Sequence, residues 1–155
     1  MILDNALYDD QEYPDPQIAV RFRLVGEDVD LNEVSEILDL VPIRIKTPCD
    51  WPEVIKNPKI ELPDSFKPSY LWEYSIPYKI CTDVSVRFEE ILSILKGKEI
   101  TVNKLKERYP LEVSFEVGIQ AHHYPSNMPA MILTQEIITF ISSLGASIGF
   151  SMCLD

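Results

Sequence analysis

Residues 111–120, LEVSFEVGIQ, put Leu111, Val113, Phe115, Val117 and Ile119 on one side of an extended chain and Glu112, Ser114, Glu116 and Gln120 on the other. Successive strand side chains point to opposite faces, so this alternation demands a sheet with one face in a core and one toward water. The demand recurs along the chain. In IAVRFRLV, residues 18–25, Ile18, Val20, Phe22 and Leu24 alternate with Ala19, Arg21, Arg23 and Val25. In YLWEYSIPYKI, residues 70–80, Tyr70, Trp72, Tyr74, Ile76 and Tyr78 oppose Glu73, Ser75 and Lys79. Pro77 in that stretch has no N–H to give a ladder and marks an edge strand or a strand end. VPIRIKTP reads as a short strand after Pro42, and ASIGFSMC, residues 146–153, closes the chain as another. Strands that are apolar on one side predict helices over one face of the sheet only.

Between the strands the period changes. GEDVDLNE, residues 26–33, crowds four acids into eight positions and raises the question of a calcium loop. An EF-hand loop needs glycine at its sixth position and glutamate at its twelfth; counted from Asp28 these are Glu33 and Asp39. A helix start accounts for the residues instead. Asp30 is the N-cap, Glu33 stands at the capping-box position, and Leu31, Val34, Ile37, Leu38 and Val41 recur at helical spacing. Asp28 then closes the turn after Gly26. A second helix runs from an Asp83 cap to Gly97 with Val84, Phe88, Ile91, Leu92 and Leu95 apolar. A shorter one follows with Thr101 as its cap and Pro110 as its stop, and a last one spans Thr134 to Leu144 before Gly145. The order predicts an α+β two-layer sandwich: a ferredoxin-like sheet with helices on one face, plus an added C-terminal helix and strand.

A chain of 155 residues suits one domain, here residues 17–155, preceded by an acidic arm over residues 1–16 that holds Asp4, Asp9, Asp10, Glu12 and Asp15 and no basic side chain. The net charge of −11 argues against a general nucleic-acid binder, which needs cations to displace counterions from phosphates, and favours basic partners. Three widely spaced cysteines, Cys49, Cys81 and Cys153, fit reduced thiols. Without an apolar run long enough for a membrane helix, the expected location is the cytoplasm. Residues 48–69 form an irregular loop with Pro48, Pro52, Pro58, Pro63 and Pro68 spaced through it and Trp51 within it. Trp51 either folds back onto the core or anchors a partner.

Reaction chemistry finds no foothold in the pattern. His122 and His123 are adjacent, so a strand would point them to opposite faces, and no second metal-ligand spacing accompanies them. There is no G-x-S-x-G, no thiol beside a basic cluster, and no glycine-rich phosphate cradle. Glu89-Glu90 reads as a solvated helix face. No cofactor and no metal site is expected. The polar sheet face would show Arg21, Arg23, Glu73, Ser75, Glu112, Ser114, Glu116, Ser147 and Ser151, which is most simply a cross-strand charge ladder. An RNA-binding sheet would show stacking aromatics there, and these fall on the other alternation.

VRFRLVGEDVDLNEVSEILDLVPIRI, YLWEYSI and ISSLGASIGFSM together resemble a small bacterial family known as domain of unknown function 4279. The resemblance covers about residues 18–153. It rests on Gly26-Glu27-Asp28 before Leu31, on Leu40 and Pro42 after the first helix, on the Trp72 strand, and on Leu144-Gly145-Ala146 before the final strand. In TPCD the chain departs from the family pattern by placing Cys49 where a glycine tends to precede the Asp. The resemblance implies no established activity. In size and acidity such domains resemble immunity proteins that neutralise a toxin. The expected function is accordingly a non-enzymatic protein-binding domain, of the immunity type, that meets a basic partner through Asp9, Asp10, Glu12, Trp51, Glu112 and Glu116. The alternatives are a small-molecule-binding or enzymatic domain walled by the 48–69 loop with His122 and His123, and a homo-oligomeric subunit pairing through an edge strand near Tyr78.

Overall fold

The computed structural model describes residues 14–56, 59, 61, 68–122 and 127–154. Its strands are β1 (Gln17–Gly26), β2 (Arg44–Lys46), β3 (Tyr70–Ile80), β4 (Leu111–Ala121) and β5 (Ser147–Leu154). They form one mixed, open sheet in the order β2-β3-β1-β4-β5, antiparallel throughout except for the parallel β4–β5 pair. Four longer helices pack against it: α1 (Leu31–Leu38), α3 (Val84–Leu95), α4 (Glu99–Arg108) and α5 (Gln135–Ser143). One helical turn, α2 (Glu53–Lys56), follows a 3-10 turn at Pro48–Asp50. The α+β class expected from the alternation is the class observed. The acidic arm lies outside the described residues up to position 13, as do parts of the 48–69 loop and His123.

The apolar alternation supplies the core. Ile18, Val20, Phe22 and Leu24 of β1 are at most 1% exposed, and Trp72, Phe88 and Phe115 are equally enclosed. Phe115 sits at the hub, with ring centroids 5.2 Å from Phe22 and 5.1 Å from Phe88. Trp72 has an N–H that burial would leave unpaired, and the Ser35 hydroxyl of α1 accepts it at 2.9 Å while donating to the Leu31 carbonyl at 3.2 Å. One polar pair thus fixes where α1 crosses β3.

The helix caps follow the sequence in part. Asp30 Oδ1 accepts from the N–H groups of Asn32 and Glu33 at 3.1 Å each, Asp83 accepts from Ser85 at 2.9 Å, and Thr134 from Ile137 at 3.3 Å. Asp28 takes a left-handed φ of 52°, as a residue closing the turn after Gly26 should. Two expectations are corrected. Thr101 is not a cap: α4 begins at Glu99 behind Lys98, which offers no side-chain acceptor. Glu33 turns from its own helix start to α4, where it accepts from Tyr109 Oη and pairs with Arg108 at 2.5 Å.

A bulge in β3 corrects a third. Val20 pairs with Ile76 and Ile18 with Lys79, so two steps along β1 span three along β3. Pro77 and Tyr78 together stand opposite Ala19, and Pro77 has no N–H to give the ladder. Tyr78 is thereby turned off the apolar alternation and onto the polar face, where its hydroxyl accepts from Arg21 Nη2 at 3.4 Å. Gly118 makes this possible: a Cβ there would come within 2.5 Å of Tyr78 Oη. The bulge also strands backbone carbonyls, and Arg87, only 3% exposed, reaches across from α3 to satisfy them. Its Nε donates to Ile18 O at 3.0 Å and its Nη2 to Pro77 O, while Nη1 pairs with Glu90.

Candidate functional site

The polar sheet face carries the ladder the alternation predicts, and the ladder is internally satisfied. Arg21 lies opposite Glu116 in the β1–β4 register, and Arg23 opposite Glu73 in the β1–β3 register. Arg21 Nη1 reaches Glu116 at 3.1 Å, and Arg23 bridges Glu73 and Glu116 at 2.5 Å each. Arg44 adds a contact to Glu73 at 3.3 Å. Burial pulls the Arg21 guanidinium down from its ordinary pKa, but the Tyr78 hydrogen bond and the Tyr78, Glu116 and Glu73 charges outweigh that and hold it above. Three arginines against two glutamates leave a single positive charge, and Glu73 is only 5% exposed. Both carboxylates are engaged, so this face has little to offer a basic partner.

The residues singled out from sequence fall in different places. Asp9, Asp10 and Glu12 lie outside the described residues. Glu116 is held within the ladder. Glu112 is exposed at the end of β4, opposite Val25. Trp51 is half-buried; its indole N–H donates to Ser69 O at 3.0 Å, and Lys46 stands 5.6 Å over its ring. It is tied to the start of β3 and does not enter the core cluster. One register row, Lys46–Leu71–Val25–Glu112, runs across that end of the sheet, so Trp51 and Glu112 flank the same edge of the polar face. His122 is half-buried just past β4. Among the described residues no group of three or more His, Cys, Asp or Glu is arranged to hold a metal ion.

An open groove among the described residues lies on the helix side. It has a volume of about 870 Å³ and runs between α3 and α5. Glu89, Leu92, Ser93 and Lys96 line it from α3, and Glu136, Thr139, Phe140 and Ser143 from α5. Each set follows the i, i+3, i+4, i+7 rule, so two ridges form the walls of a valley. Leu92, Ile137 and Phe140 make an apolar floor, and Ile100 at the start of α4 adds a shoulder that is 71% exposed. The rim is acidic: Glu89, Glu99 and Glu136 stand against one cation, Lys96. Its two serines donate within their own helices, Ser93 to Glu90 O and Ser143 to Phe140 O at 2.7 Å each, and Thr139 Oγ1 accepts from Gln135 at 3.3 Å.

α4 sets the groove's geometry by holding the ends of its neighbours. Lys106 Nζ donates to Leu144 O at 2.9 Å and Asn103 to Ser143 O at 3.2 Å, so both meet the carbonyl end of α5. Lys98 Nζ does the same for α1 at Leu38 O, 2.7 Å away. Cations at helix C-termini pair with unsatisfied carbonyls and the negative dipole end. Sequence reading assigned Leu92 to an apolar face and Glu89 to a solvated one. It had no signal that α3 and α5 are neighbours, because their contact joins segments about forty residues apart.

A family model matches residues 16–155. The chain belongs to the family described as Domain of unknown function (DUF4279). The match takes in every element of the sheet and all the helices, so the groove and the polar ladder both lie within the DUF4279 region. No curated protein and no solved structure matches the chain. No helix among the described residues of this DUF4279 domain is long and apolar enough to cross a membrane.

Proposed function

We propose that this domain acts by binding protein rather than by catalysis, and that the α3–α5 groove receives a basic amphipathic helix. The observation that carries the reading is the pairing of an apolar floor, Leu92, Ile137 and Phe140, with a rim of three acids and one lysine. The volume alone would also suit a small molecule. Enclosed polar groups to orient one are what the groove lacks: Glu89, Ser93, Lys96, Glu136, Thr139 and Ser143 are all exposed. A valley between two helix ridges suits a third helix whose apolar positions enter it and whose lysines or arginines meet the rim. The net charge of −11 would draw such a partner in. A toxin blocked by occlusion of its basic surface is the narrower form of this reading, with Trp51 and Glu112 as a second contact on the sheet side. The strand order β2-β3-β1-β4 supports a ferredoxin-like two-layer sandwich, with α5 and β5 as the addition that creates the groove.

The test is capture from native lysate, at low and high salt, on wild-type protein and on a Glu89→Lys/Glu99→Lys/Glu136→Lys variant. The reading requires a stoichiometric basic partner that is retained by wild type, weakened by salt and lost by the variant. A partner held equally by both proteins would remove the groove from the account. No partner under either condition would overturn the binding reading itself.

A further inference from the structure

The two outer strands of the sheet are guarded very differently. β2 is three residues long and presents Arg44 and Lys46, the kind of short, charged edge that discourages pairing. β5 is eight residues long, SIGFSMCL, and contains no charge and no proline. Among the described residues no strand pairs with its outer edge. Its register places Phe150, Met152 and Leu154 beside Val117, Ile119 and Ala121, on the helix side of the sheet. There they are 42%, 50% and 50% exposed, while their neighbours on β4 are almost completely enclosed. An unprotected edge and an apolar stripe thus coincide on one strand.

We propose that two copies of this chain pair antiparallel through β5 about a two-fold axis at Ser151, continuing the sheet across both molecules. Charge decides the occupant. Two chains of net charge −11 repel across most surfaces, and the uncharged β5 edge is where they can approach with least repulsion. A basic partner of the kind proposed for the groove finds no acid on this strand to attract it. The strand is also self-complementary. With Ser151 facing Ser151, Phe150 meets Met152 of the second copy and Ile148 meets Leu154. All four apolar side chains then pair on the same face, and both helix layers lie on the same side. The contact is closed by its symmetry, so it ends at a dimer and does not propagate into a fibre.

Analytical ultracentrifugation across a concentration series tests the pairing. Wild type should reach twice its 17.8 kDa mass and stay there in high salt, which separates this contact from the salt-sensitive groove. Phe150→Lys and Met152→Lys, at positions already half exposed, should each raise the dissociation constant at least ~100-fold, because the two-fold axis buries every added charge twice. Ser151→Cys in a Cys49→Ser/Cys153→Ser background should oxidise to a covalent dimer, since directly opposed residues fall within disulfide reach. Ile138→Cys in the same background, on α5, should not. A wild type that remains at monomer mass up to ~100 µM overturns the proposal. So does a dimer that survives both lysine variants, or one that links through Ile138→Cys and not through Ser151→Cys.

Discussion

Replacing Arg87 with methionine isolates the most exacting polar arrangement in the core. The substitution keeps most of the apolar stem and removes the guanidinium, so packing changes little and hydrogen bonding changes completely. Two backbone carbonyls, the buried Ile18 O and the part-buried Pro77 O, lose their donor at a point where the β1–β3 ladder is broken. An unsatisfied buried acceptor costs ~1–3 kcal/mol, which applies in full to Ile18 O and only in part to Pro77 O, where water has access. Removing a buried cation returns part of that by sparing its desolvation, and the expected net loss is about 2 kcal/mol. For a chain of this size that corresponds to a fall in melting temperature of roughly 4–8 °C. Urea and thermal unfolding followed by circular dichroism read both quantities. Glu90→Gln serves as the comparison: its side chain is 42% exposed, so it should cost under ~1 kcal/mol. If Arg87→Met falls within ~0.5 kcal/mol of wild type, the carbonyls are satisfied some other way and the account of the bulge is wrong.

Three further outcomes are expected. Ser35→Ala strands the buried indole N–H of Trp72 and should cost about 1–3 kcal/mol in urea unfolding. The Tyr109 hydroxyl donates to Glu33, and that bond, with burial and the Glu33 charge, raises its pKa above the ordinary 10.0. A raised folded-state value means its stabilising contribution is complete below the unfolded value near 10 and is lost as pH rises through the folded one. Urea midpoints taken from neutral to strongly alkaline pH should therefore fall for wild type, and Tyr109→Phe should flatten the part of that fall owed to this group. Gly118→Ala should displace Tyr78 and cost ~1–2 kcal/mol, and the loss should shrink when Tyr78→Phe removes the hydroxyl that clashes.

What could be read without coordinates was whatever the two backbone periods encode. The alternation of β4 and β1 correctly sorted Phe115 and Phe22 inward and Arg21, Arg23 and Glu116 outward, and so anticipated the charge ladder. Asp30 and Asp83 were legible as caps, and Thr134 as the start of its helix, because capping is local chemistry. Tyr78 was misassigned because one extra residue inverts every side chain beyond it, and a proline signals such an irregularity without saying which way it turns the chain. Arg87 was invisible since its partners are backbone carbonyls 69 and 10 positions away. The groove was hidden for a similar reason: its walls are two separate helical stripes, and only the crossover of α5 brings them together. β5 was legible as a strand with one apolar face, yet Phe150, Met152 and Leu154 on that face are half exposed, because pattern reports a side chain's face and not what covers it.

The central position of β1 has a kinetic consequence. Both of its neighbours come from far along the chain: the Arg23–Glu73 contact spans 50 residues and the Arg21–Glu116 contact 95. Each pairing must close a long loop before any contact repays the lost chain entropy, so folding should be slow beside that of a helical bundle of equal length. During synthesis β1 leaves the ribosome before every strand that flanks it and waits, with Ile18, Val20, Phe22 and Leu24 uncovered, until β4 has emerged. Throughout that interval the strand that becomes the centre of the sheet is also the one most open to association with other chains.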